Sequence, residues 1–466
     1  MRAHEAGALH ADGRHRGPAW LPTPRDVNAL VPALWSSTVE RGDGGALRVG
    51  GLDVRDLARD YGSPLYVLDE TDFRERAAAF RDAFAGYDVY YAGKAFCCSA
   101  VLRWAVEEGL RIDVCTGGEL AVAQRAGVDP ALIGFHGNNK SDAELARAVE
   151  AGVGRVIVDS FEEIERLGRI AAERSRLVAV MVRVTAGVEA HTHEYIATAH
   201  EDQKFGFSIS EGDAVEATRQ ILAYPSLDLR GLHSHIGSQI FDTAGFEVAA
   251  RRVLGLHAEV SAELGVELPE MDLGGGFGIA YTTQDDPQAP ATLAAGMNRI
   301  VDQECRSLGI DRPRLSIEPG RAVVGPSMCT VYTVGTVKRV ALDAGAARLY
   351  VSVDGGMSDN LRTALYDADY SCTVASRESA AAPALGRVVG KHCEAGDIVV
   401  MDEFVPSDVA PGDLLAVPGT GAYCRSMASN YNHVPRPPVV AVREGRARLV
   451  VRGESEDDLL RLDVSG

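Results

Sequence analysis

The chain has 466 residues, 46% of them hydrophobic, with 47 basic and 66 acidic side chains for a formal net charge of −19. That length can bury one large core and a smaller one, while the acidic balance argues against nucleic acid as a partner, where affinity rests largely on neutralising phosphates. No apolar run reaches the length of a membrane span, and the first residues show no basic-then-apolar leader pattern.

The eight cysteines include the neighbours Cys97 and Cys98 but no CxxC pair, so their spacing suggests a reducing cytoplasm rather than a disulfide framework. The glycosylation sequon at Asn139-Lys140-Ser141 is then a chance match.

Residues 1–45 mix His, Arg, Gly and Pro without periodicity and read as a loosely draped, flexible arm. Residues 46–70 end in the strand "SPLYVLDE", expected to pack on a β-domain. Over 71–325, short apolar strands alternate with Ala/Glu/Arg-rich helical stretches. The strands are "DVYYAGK", "RIDVCT", "ALIGFHG", "RVIVDS", "LVAVMVRV", "LRGLHSHIG", "EMDLGGGFG" and "RLSIEPG". Eight such units, apolar on both faces, predict an α/β fold of the (β/α)8 TIM-barrel type; a doubly wound sheet is the alternative, weakened by the lack of an early GxGxxG. Residues 326–466 turn β-rich, with Gly, Pro and Asp between strands, and predict a C-terminal all-β domain joined by the early strand.

Active sites of barrels lie at the C-terminal strand ends, and the unusual residues fall there. Lys94 closes the first strand. Alone it reads as a rim lysine that snorkels to water; the functional alternative is a desolvated amine of lowered pKa suited to a Schiff base. "HSHIGS" closes the sixth strand, and its His233 and His235 alternate towards one face. A metal pair is one reading, with "HTHE" at 191–194 as a loop candidate; without a convincing third ligand, an imidazole lying on a flat ring fits better, and no metal is expected.

"DLGGGFG" closes the seventh strand with three consecutive glycines that let backbone N–H groups approach a phosphate; alone it is a common barrel turn. "EPGR" closes the eighth and offers Glu318 and Arg321, either as a rim ion pair or as a carboxylate facing a pyridine nitrogen beside an anion-binding guanidinium. In the β-domain, "GKHCEAGD" sets Cys393 beside Glu394, "GTGAYCRS" presents Tyr423, and "DNLRTALY" places Arg362 and Tyr366 four residues apart. A buried structural thiol is the plain reading of Cys393.

Taken in order, "YYAGKAF", "HSHIGSQ", "DLGGGFG", "EPGR", "GKHCEAGD" and "GAYC" resemble the fold-type III pyridoxal-phosphate decarboxylases, from about Gly51 to the C-terminus. The resemblance implies an alanine-racemase-like barrel and pyridoxal 5'-phosphate bound covalently by Lys94. His235, Ser238, Gly275, Gly276, Gly320, Arg321 and Tyr423 would surround the cofactor, with Glu318 at the ring nitrogen. Arg321, Arg362, Tyr366, Glu394 and Tyr423 would bind an amino-acid substrate, and Cys393 would donate the proton. The family's usual loop reads CESGD, and Ala395 replaces its serine here.

The resemblance also implies a cytoplasmic homodimer whose subunits share active sites through this loop. Two arginines together with Glu394 favour meso-diaminopimelate as substrate and L-lysine with CO₂ as products. The rivals are another basic amino acid or carboxynorspermidine, a racemase (disfavoured by Glu318) and a non-catalytic regulatory relative (disfavoured by Lys94, the glycines, Glu318 and Cys393).

Overall fold

The computed structural model describes residues 18–187, 204–342 and 347–465. Among these, contacts divide the chain into two units. One lies within Arg74–Gly278 and Pro287–Val323, the other within Met1–Phe73, Ile279–Asp286 and Val324–Gly466.

The first unit is the eight-stranded parallel barrel that the alternating pattern predicts. Its strands are Asp88–Ala92, Arg111–Val114, Ile133–Phe135, Arg155–Val158, Val178–Thr185, Leu227–Ser234, Glu270–Asp272 and Arg314–Ile317. Each pairs in parallel with the next, and the ring closes where Ser316 and Ile317 of the last strand pair with Asp88 and Val89 of the first. Phe207–Ser208 is an extra short strand beside Val178–Thr185.

Local chemistry sets where the connecting helices begin and end. Ser141 and Glu144 form a reciprocal capping box at Asp142–Ala151, Ser160 caps Phe161–Glu173 and Thr116 caps Gly117–Ala126. The helix after the first strand, Ser99–Glu107, buries Val101, Leu102 and Trp104.

The second unit is built around an antiparallel sheet whose long strand, Met328–Ala341, pairs with Ala347–Val353 and Leu414–Val417. The early strand Leu65–Asp69 enters this sheet, antiparallel to Met328–Ala341 and parallel to Val439–Arg443. All five of its side chains are buried, so its apolar run is a central strand, as the sequence suggested. Its core gathers Leu47, Val67, Val331 and Val440, and also Leu34 and Trp35 from the stretch read as an arm. Arg41 adds polar anchorage there, donating from Nη2 to Thr373 Oγ1 at 2.9 Å. No disulfide joins the eight cysteines, and no helix among the described residues is long and apolar enough to cross a membrane.

Candidate active site

Barrel closure brings the strand ends around one cavity of about 340 Å³, lined by Lys94, Asp113, His136, His233, His235 and Glu318. Each stands on or just past the end of a different strand, His233 and His235 sharing the sixth. This volume falls within the range of small-ligand sites. Lys94 itself is exposed, as the rim-lysine reading has it, and is not the desolvated amine of the functional alternative. It lies past the barrel wall, where its side chain lines open cavity.

Glu318 is the electrostatic centre of the unit. It is buried, and His233 Nε2 lies 2.8 Å from its Oε1. His136 Nε2 approaches the same oxygen at 3.4 Å and Asp113 Oδ1 at 3.1 Å. Burial alone would raise the Glu318 pKa, but the imidazoles of His136 and His233 hold it well below the usual carboxylate range. Burial has the opposite consequence for His136, whose imidazole it keeps neutral, and for Asp113, whose pKa burial and the Glu318 charge push well up.

Beneath these groups Arg155 pairs with Asp272, donates to Ser316 Oγ at 3.0 Å and stacks 4.1 Å from the Tyr90 ring centroid. Asp113, His136 and Arg155 were not singled out from the sequence. Each is a polar residue in or beside an apolar strand, and a charged side chain pointing into a barrel interior is the only signal that could have found them.

The glycine run is required by backbone crowding. A Cβ on Gly275 would stand 2.3 Å from the Glu318 carbonyl oxygen, and Gly276 has φ 111° with the Gly237 carbonyl oxygen 2.6 Å from any Cβ. The Gly275 N–H donates to His235 Nδ1 at 3.2 Å, so that nitrogen is an acceptor. Burial, and then the Lys94 charge, lowers the His235 pKa well below its ordinary value. Arg321 donates to Ser238 Oγ at 2.9 Å, joining the eighth strand end to the sixth. Gly320 sits against the Ala92 and Ala95 methyl groups, 3.0 and 3.1 Å from where a Cβ would be.

The remaining predicted residues belong to the second unit. Arg362 and Tyr366 begin and end the short helix Arg362–Tyr366. Arg362 is buried, donates to the Tyr370 hydroxyl at 2.7 Å and lies 4.7 Å from the Tyr281 ring centroid. These two tyrosines are 8 and 81 positions away and carried no motif of their own, since Arg362 reaches them only through the folded sheet unit. Cys393 is exposed, unlike the buried thiol of the plain reading, and its N–H donates to Asn432 Oδ1 at 3.1 Å. Glu394 follows it, half-buried, and Tyr423 is half-buried with φ 65°.

His136, His233 and Glu318 bring three potential ligand atoms within 4.8 Å of one another. His233 Nε2, however, is already hydrogen-bonded to the Glu318 oxygen that an ion would need, the arrangement of an imidazole beside an anion. His235 is turned instead to the glycine run, so the strand-six histidines do not act as a pair. The "HTHE" candidate lies outside the described residues.

The barrel residues fit a flat, anionic pyridine cofactor. An amine and a buried carboxylate line the same cavity, buried polar atoms at His136 Nε2 and His233 Nδ1 lack hydrogen-bond partners, and Arg321 with Ser238 offers donors for a phosphate.

Residues 70–325 match the family model described as "Pyridoxal-dependent decarboxylase, pyridoxal binding domain". The chain is 55% identical over 440 residues to the diaminopimelate decarboxylase of Mycobacterium tuberculosis, covering 93% of this chain and 98% of that one. It is 52% identical over 471 residues to the diaminopimelate decarboxylase of Mycobacterium leprae, covering 100% of both. Among solved structures, diaminopimelate decarboxylase from M. jannaschii in co-complex with L-lysine superposes with a TM-score of 0.85 at 30% identity, over 92% of this chain and 98% of that one.

Proposed function

The chain belongs to the diaminopimelate decarboxylase family of pyridoxal-dependent decarboxylases, and from that membership we propose that it converts meso-2,6-diaminopimelate to L-lysine and CO₂, the last step of lysine formation. The observation that carries the reading is the joint lining of one barrel-mouth cavity by Lys94 and the buried, ionised Glu318.

Pyridoxal phosphate, when bound, supplies an aldehyde carbon for amines and a ring that takes up the electron pair left as CO₂ departs. Lys94 would hold the cofactor covalently through its amine. Glu318, held ionised, would favour a proton on the ring nitrogen. Its histidine partners therefore serve the chemistry by keeping it anionic. Arg321, Ser238, Gly275, Gly276 and Gly320 would bind the phosphate, and the neutral His235 imidazole would pack on the ring.

Arg362 binds a substrate carboxylate, and Arg321, Tyr366 and Tyr423 are further substrate-binding residues. Diaminopimelate keeps a second carboxylate at its distal end that ornithine and lysine lack, and a buried guanidinium fixed by a tyrosine hydroxyl suits that group. Glu394 reads the distal ammonium, and the Cys393 thiol returns a proton to the substrate carbon. The exposure of Cys393 supports its loop serving a neighbouring subunit of a homodimer, and the cysteine spacing suits the cytoplasm.

Measuring CO₂ released from meso-diaminopimelate, ornithine, arginine and lysine by the purified protein tests the substrate. Turnover of diaminopimelate at least about a hundredfold above the others is expected, since one unmatched buried charge costs several kcal/mol. Turnover of another amino acid in its place overturns the assignment.

A further inference from the structure

Three buried carboxylates that act on one another, Asp113, Asp272 and Glu318, lie in the barrel, and their surroundings differ sharply. Asp272 is matched by the Arg155 guanidinium and accepts from Ser316 Oγ at 2.7 Å. Glu318 faces His233 at 2.8 Å. Asp113 has neither kind of support. Both of its oxygens are buried without a hydrogen-bond partner, and the nearest polar atom recorded beside it is His136 Nε2 at 3.1 Å, itself unpartnered.

The charges that face Asp113 are Glu318, Arg155, Asp272 and Lys94, with Tyr90 close by. Arg155 is engaged by Asp272, and Lys94 stands on the cavity rim. An ionised Asp113 would thus be a second anion beside Glu318 with no donor of its own. Desolvation makes that arrangement costly, and two neighbouring carboxylates do not both ionise in such a site.

We propose that Asp113 works as a neutral carboxylic acid beside His136 Nε2, an uncharged pair that leaves Glu318 the one ionised carboxylate facing the cofactor cavity. The consequence is chemical. A ring nitrogen facing one anion is held protonated by that group alone, and the cavity carries no surplus negative charge to repel a substrate carboxylate. Asp113 is a positioning residue here, acting through His136 and Glu318.

The inference rests on the proposed cofactor site, but its test does not depend on turnover. In the holoenzyme at neutral pH, the infrared difference between the native protein and Asp113→Asn should contain the carbonyl stretch of a protonated carboxylic acid. Asp113→Asn should also bind pyridoxal phosphate within about threefold of the native protein and keep its visible absorbance, because an amide replaces a neutral acid. Asp113→Ala should loosen the cofactor more than tenfold. In His136→Gln the acid band should persist but shift, since its nearest polar neighbour has changed, which keeps the proposal testable should Asp113→Asn not fold. A difference spectrum without the acid band, a His136→Gln band that does not move, or an Asp113→Asn protein whose absorbance changes as in Glu318→Gln would overturn it.

Discussion

The Nε2 atom of His233 lies 2.8 Å from Oε1 of Glu318, and both side chains are almost wholly buried. That contact, with His136 on the same oxygen, lets a carboxylate remain ionised where burial alone would neutralise it. Glu318→Gln should fold and bind cofactor weakly, with kcat lowered roughly 10²–10³-fold, the usual scale for losing one preorganised electrostatic partner. Because the native group stays ionised well below the ordinary carboxylate range, it should not set the acid limb of the pH–rate profile near neutrality. Steady-state kinetics against pH check both points.

Arg362 is held by the Tyr370 hydroxyl at 2.7 Å. Tyr370→Phe removes a hydrogen bond to a charged group, ~1.5 kcal/mol, and should raise KM for diaminopimelate about tenfold. Arg362→Lys should cost more, because an ammonium cannot bind a carboxylate in bidentate fashion. Comparing KM with kcat for the two variants checks the expectation.

The loop that carries His136 is anchored by a buried lysine. Lys140 Nζ donates to the Gly137 carbonyl at 2.7 Å, the Ile157 carbonyl at 2.7 Å and Glu163 Oε1 at 2.6 Å. Lys140→Met leaves Glu163 buried without its cation and should destabilise the protein by about 3–5 kcal/mol in urea unfolding. Adding Glu163→Leu should recover most of that loss, since a matched apolar pair replaces a matched ionic one.

Near the C-terminus, Glu454 accepts from Arg436 Nε and from the Arg436 backbone N–H, both at 2.8 Å. The Arg436 hydrogen bond is the chief reason its pKa falls from 4.5 to about 2. A depressed carboxylate stabilises the fold above its unfolded value and loses that contribution as pH falls through its folded value. The stability gap between the native protein and Glu454→Gln should therefore be full above pH 4.5 and close as pH approaches 2. The pair is partly exposed and screened, so the full gap should be ~1 kcal/mol. Urea midpoints across that range read it.

All eight barrel strands were legible because parallel strands buried on both faces read as apolar runs, and their ends were legible because Lys94, the glycine run and Glu318 interrupt those runs. The early strand was legible for the same reason. Asp113 and Arg155 were not. Each is one of several polar residues inside "RIDVCT" or "RVIVDS" with nothing to set it apart, and the partner of Arg155, Asp272, is 117 positions away and adjacent only once the barrel closes. Trp35 lay in a stretch without periodicity, so its burial in the sheet core carried no pattern. Lys94 taught the opposite lesson: its place at a strand end was clear, but its exposure depends on the cavity that several strands enclose.

The most direct test of the account is borohydride reduction of the purified holoenzyme followed by peptide mapping. A cofactor label on Lys94 is expected, with Lys94→Ala unlabelled and inactive. A label on a different lysine, or none in a protein that retains full activity, would contradict it.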